Sequence, residues 1–339
     1  NKKTKKPKAK SNMPRGYHGW QSPDMVNWVY RGPIAGGNWA TTAEYADGKL
    51  YMYVDTPNDW HPFLTIDEDL FDGKPGKGMG MIFEDPTKGS DCAVIRDEKG
   101  FHLFSEDWSP IDASKHSWDS PLGQRAFSKD SITHFVVKNY FVDYRTKATG
   151  ETATHKHPCF TCTYNVHEGE QPAYGDWAGL RIGGQYYLVG DNHTKNRADM
   201  SVMLFTSTDI TKPFTRLHEI PTKGHPDPSI GFAAGKFFLI TQAIDFTSPG
   251  PWVDGVEVRA GVDTDKDGKV DQWTQWQSVK EAYTRKPGYT KLVDKAPAQL
   301  DLSSLPAGFG FQFEVKLTDT TENASKPILD AMTMQFKTK

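Results

Sequence analysis

The sequence predicts an all-β fold, and within that class a five-bladed β-propeller. Three observations lead to this prediction: a strand–turn–strand pattern that recurs along the chain, a Ser-x-Asp motif in phase with it, and a turn-rich composition of 30 Gly and 22 Pro in 339 residues. Gly and Pro interrupt long helices, and repeats of this kind are the sequence signature of propellers and related arrays.

The repeat consists of four hairpins that share one pattern. In each, a short strand rich in apolar and aromatic residues leads into a tight turn with Gly, and a second strand follows. The hairpins cover residues 39–53, 91–104, 176–188 and 227–240. The third and fourth are closely similar, since Gly184 and Gly235 each begin a Gly-x-aromatic-aromatic-Leu strand. We assign each hairpin to the inner strands of one blade.

The second element is a Ser-x-Asp motif followed by an apolar or aromatic residue. It begins at Ser22, Ser128 and Ser207. The Ser and Asp side chains are expected to cap the turn before an outer strand, while the following residue packs between sheets.

The blade count reaches five with a last unit in residues 299–336. The strand at 22–32 would complete this blade and close the ring, which removes exposed sheet edges. The interval between the second and third hairpins is too long for one blade, so residues 138–172 are expected to form an insertion over the mouth of the central pocket. A β-sandwich that starts near residue 255 is the alternative for the C-terminal part.

Composition and charge bound the function. The net charge of −3 gives no reason to expect a nucleic-acid partner, and no apolar stretch is long enough for a membrane span. Residues 1–15 are predicted to form a basic tail or a lipoprotein-like tether, with residues 16–339 as a single propeller domain. Such a tail predicts a secreted, periplasmic or lipid-anchored protein at the surface of a bacterium. The oligomeric state is not predicted.

Acidic and aromatic residues stand at the starts of the predicted inner strands, where propeller side chains converge on the mouth of the funnel. Clustered carboxylates usually separate their pKa values, as acid and base roles require, and such pairs cleave glycosidic bonds. The candidates at or near these strand starts are Trp39, Glu44, Asp91, Asp176, Trp177, His225 and Asp227.

One of these segments resembles a known family. Gly224 to Ile230, followed by Gly235 to Leu239, is similar to the Asp-Pro-Ser strand of five-bladed glycosidases such as glycoside hydrolase family 43. Ser22 to Trp28 matches an outer-strand motif of that family. The resemblance implies that Asp227 is the general base. The motif usually lies in the first blade, whereas here it lies in the fourth repeat, which implies a permuted or distant relative. Family 117, which uses aspartates with a histidine as acid, fits at least as well.

The resemblance leaves several roles open. Asp91 or Asp176 would tune pKa values and orient the sugar, and the proton donor could be Glu44, His157 or His193. The residues predicted to bind substrate, by ring stacking or polar contacts, are Trp39, Trp177, His193, Arg197 and His225.

Residues 263–271 predict a structural Ca²⁺ site. The ligands would come from Asp263, Asp265, Asp267, Lys269 and Asp271, in the spacing of a calcium loop with its turn glycine. Thr274 replaces the usual bidentate Glu, and a plain Asp-Gly hairpin turn explains the same residues. A zinc site around Cys159 and Cys162 is less favoured than a disulfide or free thiols.

These observations predict an exo-acting glycoside hydrolase that removes terminal sugars from an algal or plant polysaccharide or its oligosaccharides. Two alternatives stay open. A polysaccharide lyase on the same fold would need a group that neutralises a uronate, for which Arg96, Arg181, Arg197 and His193 are candidates. A non-catalytic sugar-binding propeller would use the same aspartates and tryptophans as ligand contacts.

Overall fold

The structure is a computed structural model, and every regular element that it describes is a β-strand. No helix in the described part of the chain is long and apolar enough to cross a membrane. The described residues are 16–23, 27–36, 39–56, 60–87, 89, 91–109, 119–156, 161–193, 200–220, 222, 224, 227–241, 255–318 and 332–335.

The strands are numbered in chain order. They are β1 (Tyr17–Gln21), β2 (Val29–Ala35), β3 (Trp39–Ala46), β4 (Lys49–Asp55), β5 (Pro62–Asp67), β6 (Lys77–Met81), β7 (Ala93–Arg96), β8 (Phe101–Glu106), β9 (Leu122–Ser128), β10 (Val136–Asp143), β11 (Ala148–Lys156), β12 (Thr161–His167), β13 (Ala173–Ile182), β14 (Gln185–His193), β15 (Ser201–Ser207), β16 (Thr215–Ile220), β17 (Ser229–Ala233), β18 (Lys236–Ile240), β19 (Val256–Asp263), β20 (Gln272–Trp273), β21 (Gln277–Ser278), β22 (Ala282–Arg285), β23 (Leu292–Ala296) and β24 (Gly310–Leu317).

The chain forms two compact units. The first contains residues 1–241 and 285–293, and the second contains residues 242–284 and 294–339. This division differs from the predicted single domain over residues 16–339.

The first unit has the sheet arrangement of a propeller. Strands β3 to β6 and β7 to β10 form two four-stranded antiparallel sheets in sequence order, and β13 to β16 are four consecutive antiparallel strands of a larger sheet. The first strands of successive sheets are neighbours, β3 with β7, β7 with β13 and β13 with β17. Such a succession of first strands is how propeller blades meet around a central axis. The all-β propeller prediction is therefore confirmed, and its four inner strands are β3, β7, β13 and β17.

Apolar faces of neighbouring sheets form the core of this unit. One buried cluster joins the first sheet to the second, with Tyr53 and Leu64 against Val94 and Leu103. A second cluster joins the second sheet to the third and is dominated by aromatic rings. Among the inner strands, β7 is buried on both sides and has a continuous apolar sequence, whereas β3 and β17 are partly exposed.

The strands expected to form the fifth blade have other pairing partners in the structure. Strand β1 pairs with β2 in a two-stranded sheet, and neither of them pairs with a described strand of residues 299–336. Strand β24 instead pairs with β19 in the second unit, in a register from Val256 opposite Leu317 to Asp263 opposite Gly310. Burial of alternate residues of β19 explains this partner, because Val258, Ala260 and Val262 are all buried.

The predicted insertion at 138–172 is shorter than expected. Residues up to Asp143 belong to β10, the outer strand of the second sheet, and β11 and β12 then form a hairpin of their own. Tyr164 of this hairpin packs against Trp108 in a small separate cluster.

Residues 285–293 lie among the first strands of the propeller, at the hairpin-turn end. Arg181 of β13 donates its backbone N–H to the carbonyl of Lys291 at 2.7 Å. The Lys291 ammonium donates to the carbonyl of Val94 in β7 at 2.5 Å and lies 3.7 Å from Glu44 of β3. Arg285 donates to the carbonyl of Phe232 in β17. This single segment therefore bridges four inner strands.

The Lys291–Glu44 pair should contribute strongly to stability. Only 14% of the Lys291 side chain and none of the Glu44 side chain is exposed. Removing one partner of a buried pair leaves the other charge uncompensated, so Lys291→Met should lower the free energy of unfolding by about 3 kcal/mol. The double variant with Glu44→Gln should recover part of the loss, as measured by urea denaturation. The exposed pair Lys49–Glu68 provides the control, and an equal effect of Lys49→Met would contradict this expectation.

Candidate active site

Three aspartates near the starts of inner strands have an uncommon backbone conformation: Asp91 and Asp227 precede β7 and β17, and Asp176 lies at a bulge near the start of β13. Asp91, Asp176 and Asp227 have φ values of 29°, 49° and 59°. This left-handed region is disfavoured for residues with a Cβ, and such residues persist where the surroundings over-determine them. The three positions are those that the hairpin repeat aligned, so the structure brings the predicted strand-start aspartates into equivalent places.

A buried carboxylate from the preceding blade supports two of these strand starts. Asp55 at the end of β4 accepts the Asp91 amide at 3.3 Å, and Asp191 in β14 accepts the Asp227 amide at 3.0 Å. Asp55 and Asp191 are 0% and 1% exposed. Accepting backbone N–H groups offsets part of the cost of burying a carboxylate.

Sequence reasoning missed both supporting carboxylates, although the repeat carries a signal for them. Asp55 stands seven residues after Gly48, and Asp191 stands seven residues after Gly184. Both glycines lie at the hairpin turn of their sheet, so an alignment on the turns rather than on the strand starts would have found the pair.

Asp176, Asp191 and Asp227 form a compact carboxyl cluster. One oxygen from each lies within 4.8 Å of the others. Asp176 and Asp227 are half-buried, whereas Asp191 is fully buried. The carboxyls of Asp176 and Asp191 lie close enough to interact directly. Two neighbouring carboxyls in a poorly solvated site do not both ionise easily, so the pair favours one shared proton.

The surroundings keep that proton in place. Burial is the main cause that raises the pKa of the Asp191 carboxyl to about 8, and the negative charges of Asp119 and Asp227 add to it. Hydrogen bonds from the Asp227 amide and with Asp176 act in the opposite direction. Because the groups interact strongly, the proton belongs to the cluster rather than to one residue. Oxygens at this spacing are also found around cations.

Glu44 does not join this cluster. It lies five residues into β3, roughly 17 Å along the strand from Trp39, at the hairpin-turn end. Its buried carboxylate accepts a hydrogen bond from Thr290 and faces Lys291. The structure therefore contradicts its predicted role as the proton donor, because the side chain is committed to the segment at 285–293.

The two predicted stacking tryptophans differ sharply in exposure. Trp177 is 2% exposed and packs against the rings of Phe141 and Phe205, so it belongs to the core and cannot stack on a sugar. Trp39 is 61% exposed. It begins β3, and its backbone lies opposite that of Asp55 in the β3–β4 pairing. Trp39 thus remains available as a sugar platform at the strand-start end.

Four other predicted site residues have no described side chain. His157, Arg197 and His225 lie outside the described residues, and only the backbone of His193, the last residue of β14, is described. Two of the candidate lyase arginines are placed at the hairpin-turn end. Arg96 pairs with Asp47 at 2.7 Å, and Arg181 pairs with Glu98 at 2.9 Å.

In the second unit, three acidic residues of the predicted calcium loop lie close together. Oxygens of Asp263, Asp265 and Asp271 lie within 4.8 Å of one another. Asp267 is not in this group, because its carboxylate accepts the Lys269 amide at 2.8 Å and pairs with the Lys269 ammonium at 3.3 Å. Three of the five predicted ligand residues are therefore brought together.

The predicted zinc cysteines cannot be placed, since Cys159 and the Cys162 side chain lie outside the described residues. Cys92 is buried, and its Sγ lies 3.3 Å from Thr41 Oγ1.

Comparison with known proteins finds only distant likenesses. No family model and no curated protein matches the chain. Among solved structures, an endo-1,4-β-xylanase from Bacteroides thetaiotaomicron is 13% identical, with 85% of this chain and 88% of that chain covered and a TM-score of 0.47. An α-L-arabinanase of Cellvibrio cellulosa, solved with arabinohexaose, is 14% identical, with 81% and 87% covered and a TM-score of 0.44.

An exo-1,5-α-L-arabinanase from a bovine ruminal metagenomic library is 13% identical, with 81% of this chain and 89% of that chain covered and a TM-score of 0.44. Structural similarity at such low sequence identity assigns no activity to the chain, so its function has to be inferred from its own residues.

Proposed function

We propose that the chain is a glycoside hydrolase. One observation carries the proposal: the cluster of Asp176, Asp191 and Asp227 combines a buried carboxyl whose pKa is raised to about 8 with two half-exposed carboxyls. Glycosidic bond cleavage needs one carboxyl that is protonated near neutral pH and one that is ionised, and it needs both beside the same bond.

The exposure of each group suggests its role. Asp176 is half-buried and shares the proton of the fully buried Asp191, so Asp176 is the group that can deliver this proton to a leaving oxygen. Asp227 is the other accessible carboxyl, and its amide is held by Asp191. We assign Asp227 as the base that activates water and Asp191 as the buried partner of the acid. Asp91 at the neighbouring strand start would orient the sugar.

An exposed aromatic ring at the same end of the inner strands as the carboxyl cluster supports a carbohydrate substrate. Exposed Trp39 at the strand-start end offers an aromatic face on which a sugar ring can stack. Exo-action is supported by residues 285–293, which bridge the inner strands at the opposite end and leave one end for entry. A plant or algal polysaccharide or oligosaccharide is the proposed substrate. Such a polymer is met outside the cytoplasm, in keeping with the predicted export.

Two observations weigh against the alternatives. Arg96 and Arg181 are paired with carboxylates at the hairpin-turn end, so neither is placed to neutralise a uronate at the cluster. A binding module has no need of a carboxyl with a raised pKa or of a proton shared between two aspartates. A lyase would reveal itself by unsaturated products, and a binder by an absence of any product.

Asp227→Asn and Asp176→Asn should each lower kcat by about 10²- to 10⁴-fold and leave oligosaccharide affinity nearly unchanged. The measurement is a product screen on plant and algal oligosaccharides by mass spectrometry, with binding followed by calorimetry. Asp209→Asn is the matched control, because this carboxylate is exposed in the β15–β16 turn. Full activity of Asp227→Asn, or no product from the unmodified chain on any substrate, would overturn the assignment.

The shared proton should be visible in the pH dependence. The pKa of Asp191 is about 8 in the folded chain, against an ordinary value of 3.8. The folded chain holds the proton more tightly than the unfolded chain, so the proton stabilises the fold at acidic pH and this contribution declines between about pH 4 and pH 8. We expect kcat/KM to fall as pH rises through about 8. Asp191→Asn should remove the corresponding slope in urea denaturation, and an unchanged slope would contradict the prediction.

We also propose that Asp263, Asp265 and Asp271 bind a structural Ca²⁺ ion. Three carboxylates at this spacing supply the oxygen ligands that Ca²⁺ prefers. Added Ca²⁺ should raise the melting temperature, because an ion that binds only the folded chain stabilises the folded state. Asp265→Asn with Asp271→Asn should abolish the shift, whereas Asp301→Asn should keep it. Equal shifts in all three proteins would show that the loop is a plain hairpin turn.

A further inference from the structure

Gly175, the residue before Asp176, lies against two buried carboxylates. A Cβ at this position would meet Glu106 Oε1 at 2.4 Å and Asp119 Oδ1 at 2.6 Å. Real Cβ atoms do not approach other atoms this closely, so a larger residue here would have to displace these carboxylate oxygens. The two carboxylate oxygens therefore occupy the space of the missing side chain, directly beside the backbone of the proposed acid.

Both carboxylates are held in this place by the fold. Glu106 ends β8, is 1% exposed and accepts the Trp108 indole N–H at 2.6 Å. Asp119 is 3% exposed and precedes Ser120, which forms an antiparallel bridge to Tyr174 with N–H···O bonds of 3.3 and 3.0 Å. Because Tyr174 adjoins Gly175, this bridge fixes Asp119 on β13. Sequence reasoning singled out neither residue.

Acidic residues from three other segments of the chain lie near the Asp176–Asp191 pair. Asp119 approaches from the segment before β9, Asp227 from the segment before β17, and Glu106 from the end of β8 through Gly175. Among the charges that act on Asp191, that of Asp119 has the largest effect. Like charges in a poorly solvated site oppose ionisation of their neighbours.

We propose that Asp119, held against Gly175 beside Glu106, is a positioning residue that keeps the proton on the Asp176–Asp191 pair. The proposal rests on the proposed function, since the proton is the one that Asp176 delivers. Asp119 touches no reacting atom in this scheme. Its negative charge makes loss of the proton costly, and so extends the acid form of the pair to neutral and mildly alkaline pH.

The test uses Asp119→Asn, which keeps the shape of the side chain and removes its charge. If the pair then titrates about one pH unit lower, kcat/KM at pH 8 should fall about fivefold while the value at pH 6 stays unchanged. A merely structural role would lower activity equally at both pH values, which would overturn the proposal.

A second readout needs no substrate. NMR titration of the protein with ¹³C-labelled aspartate carboxyls should show one carboxyl that titrates near pH 8, and its signal should disappear in Asp191→Asn. In Asp119→Asn the midpoint should move to lower pH, and in Asp209→Asn it should not. An unmoved midpoint in Asp119→Asn refutes the proposal even if the enzyme is active. A moved midpoint in a protein without hydrolase activity upholds the proton-holding role and refutes only the proposed function.

Two further variants keep the test conclusive if Asp119→Asn does not fold. Glu106→Gln retains an acceptor for the Trp108 indole and should move the same midpoint in the same direction, by less. Gly175→Ala should displace both carboxylates and move the midpoint most, with folding checked by circular dichroism. Unmoved midpoints in both variants would refute the proposal as well.

Discussion

Contacts between a buried carboxylate of one blade and the first strand of the next blade underlie both the fold and the site. Asp55 accepts the Asp91 amide, and Asp191 accepts the Asp227 amide. Each contact ties neighbouring sheets together and holds an aspartate in a left-handed backbone conformation that is costly by itself. The hydrogen bonds that join neighbouring blades therefore also place the carboxyls that we assign to catalysis. The surrounding packing keeps the aspartates in their strained backbone conformation.

The two ends of the inner strands have opposite electrostatic character. At the strand-start end, Asp176, Asp191 and Asp227 crowd together with Asp119, and the excess of negative charge retains a proton. At the hairpin-turn end, Lys291 enters among the strands and faces Glu44. A carboxylate that meets a cation is suited to holding strands together, whereas carboxylates that meet one another are suited to exchanging protons. Position along the strand therefore separates the carboxylate that pairs with a cation at the hairpin-turn end from the carboxyls that we assign to catalysis at the strand-start end.

Several residues show how far sequence reasoning reaches. The aligned hairpins located the inner strands and the strand-start aspartates, because apolar runs and turn glycines are local signals. Glu44 was misassigned, since its distance from Asp176 depends on which end of β3 faces the site. Trp177 was misassigned because burial depends on the adjoining sheet. Asp191 and Asp119 were missed, since each acquires its role from partners on other strands.

The sequence by itself determined the all-β class, the four inner strands and the aspartates at three of their starts, because these features are set by short-range periodicity and turn chemistry. Only the tertiary structure decided that β24 pairs with β19, that residues 285–293 join the inner strands, and that Asp176, Asp191 and Asp227 bring their carboxyls together. The physical reason is the range of the interactions. Strand propensity acts over a few residues, whereas sheet pairing, burial and the repulsion between carboxylates depend on residues that only the fold brings together.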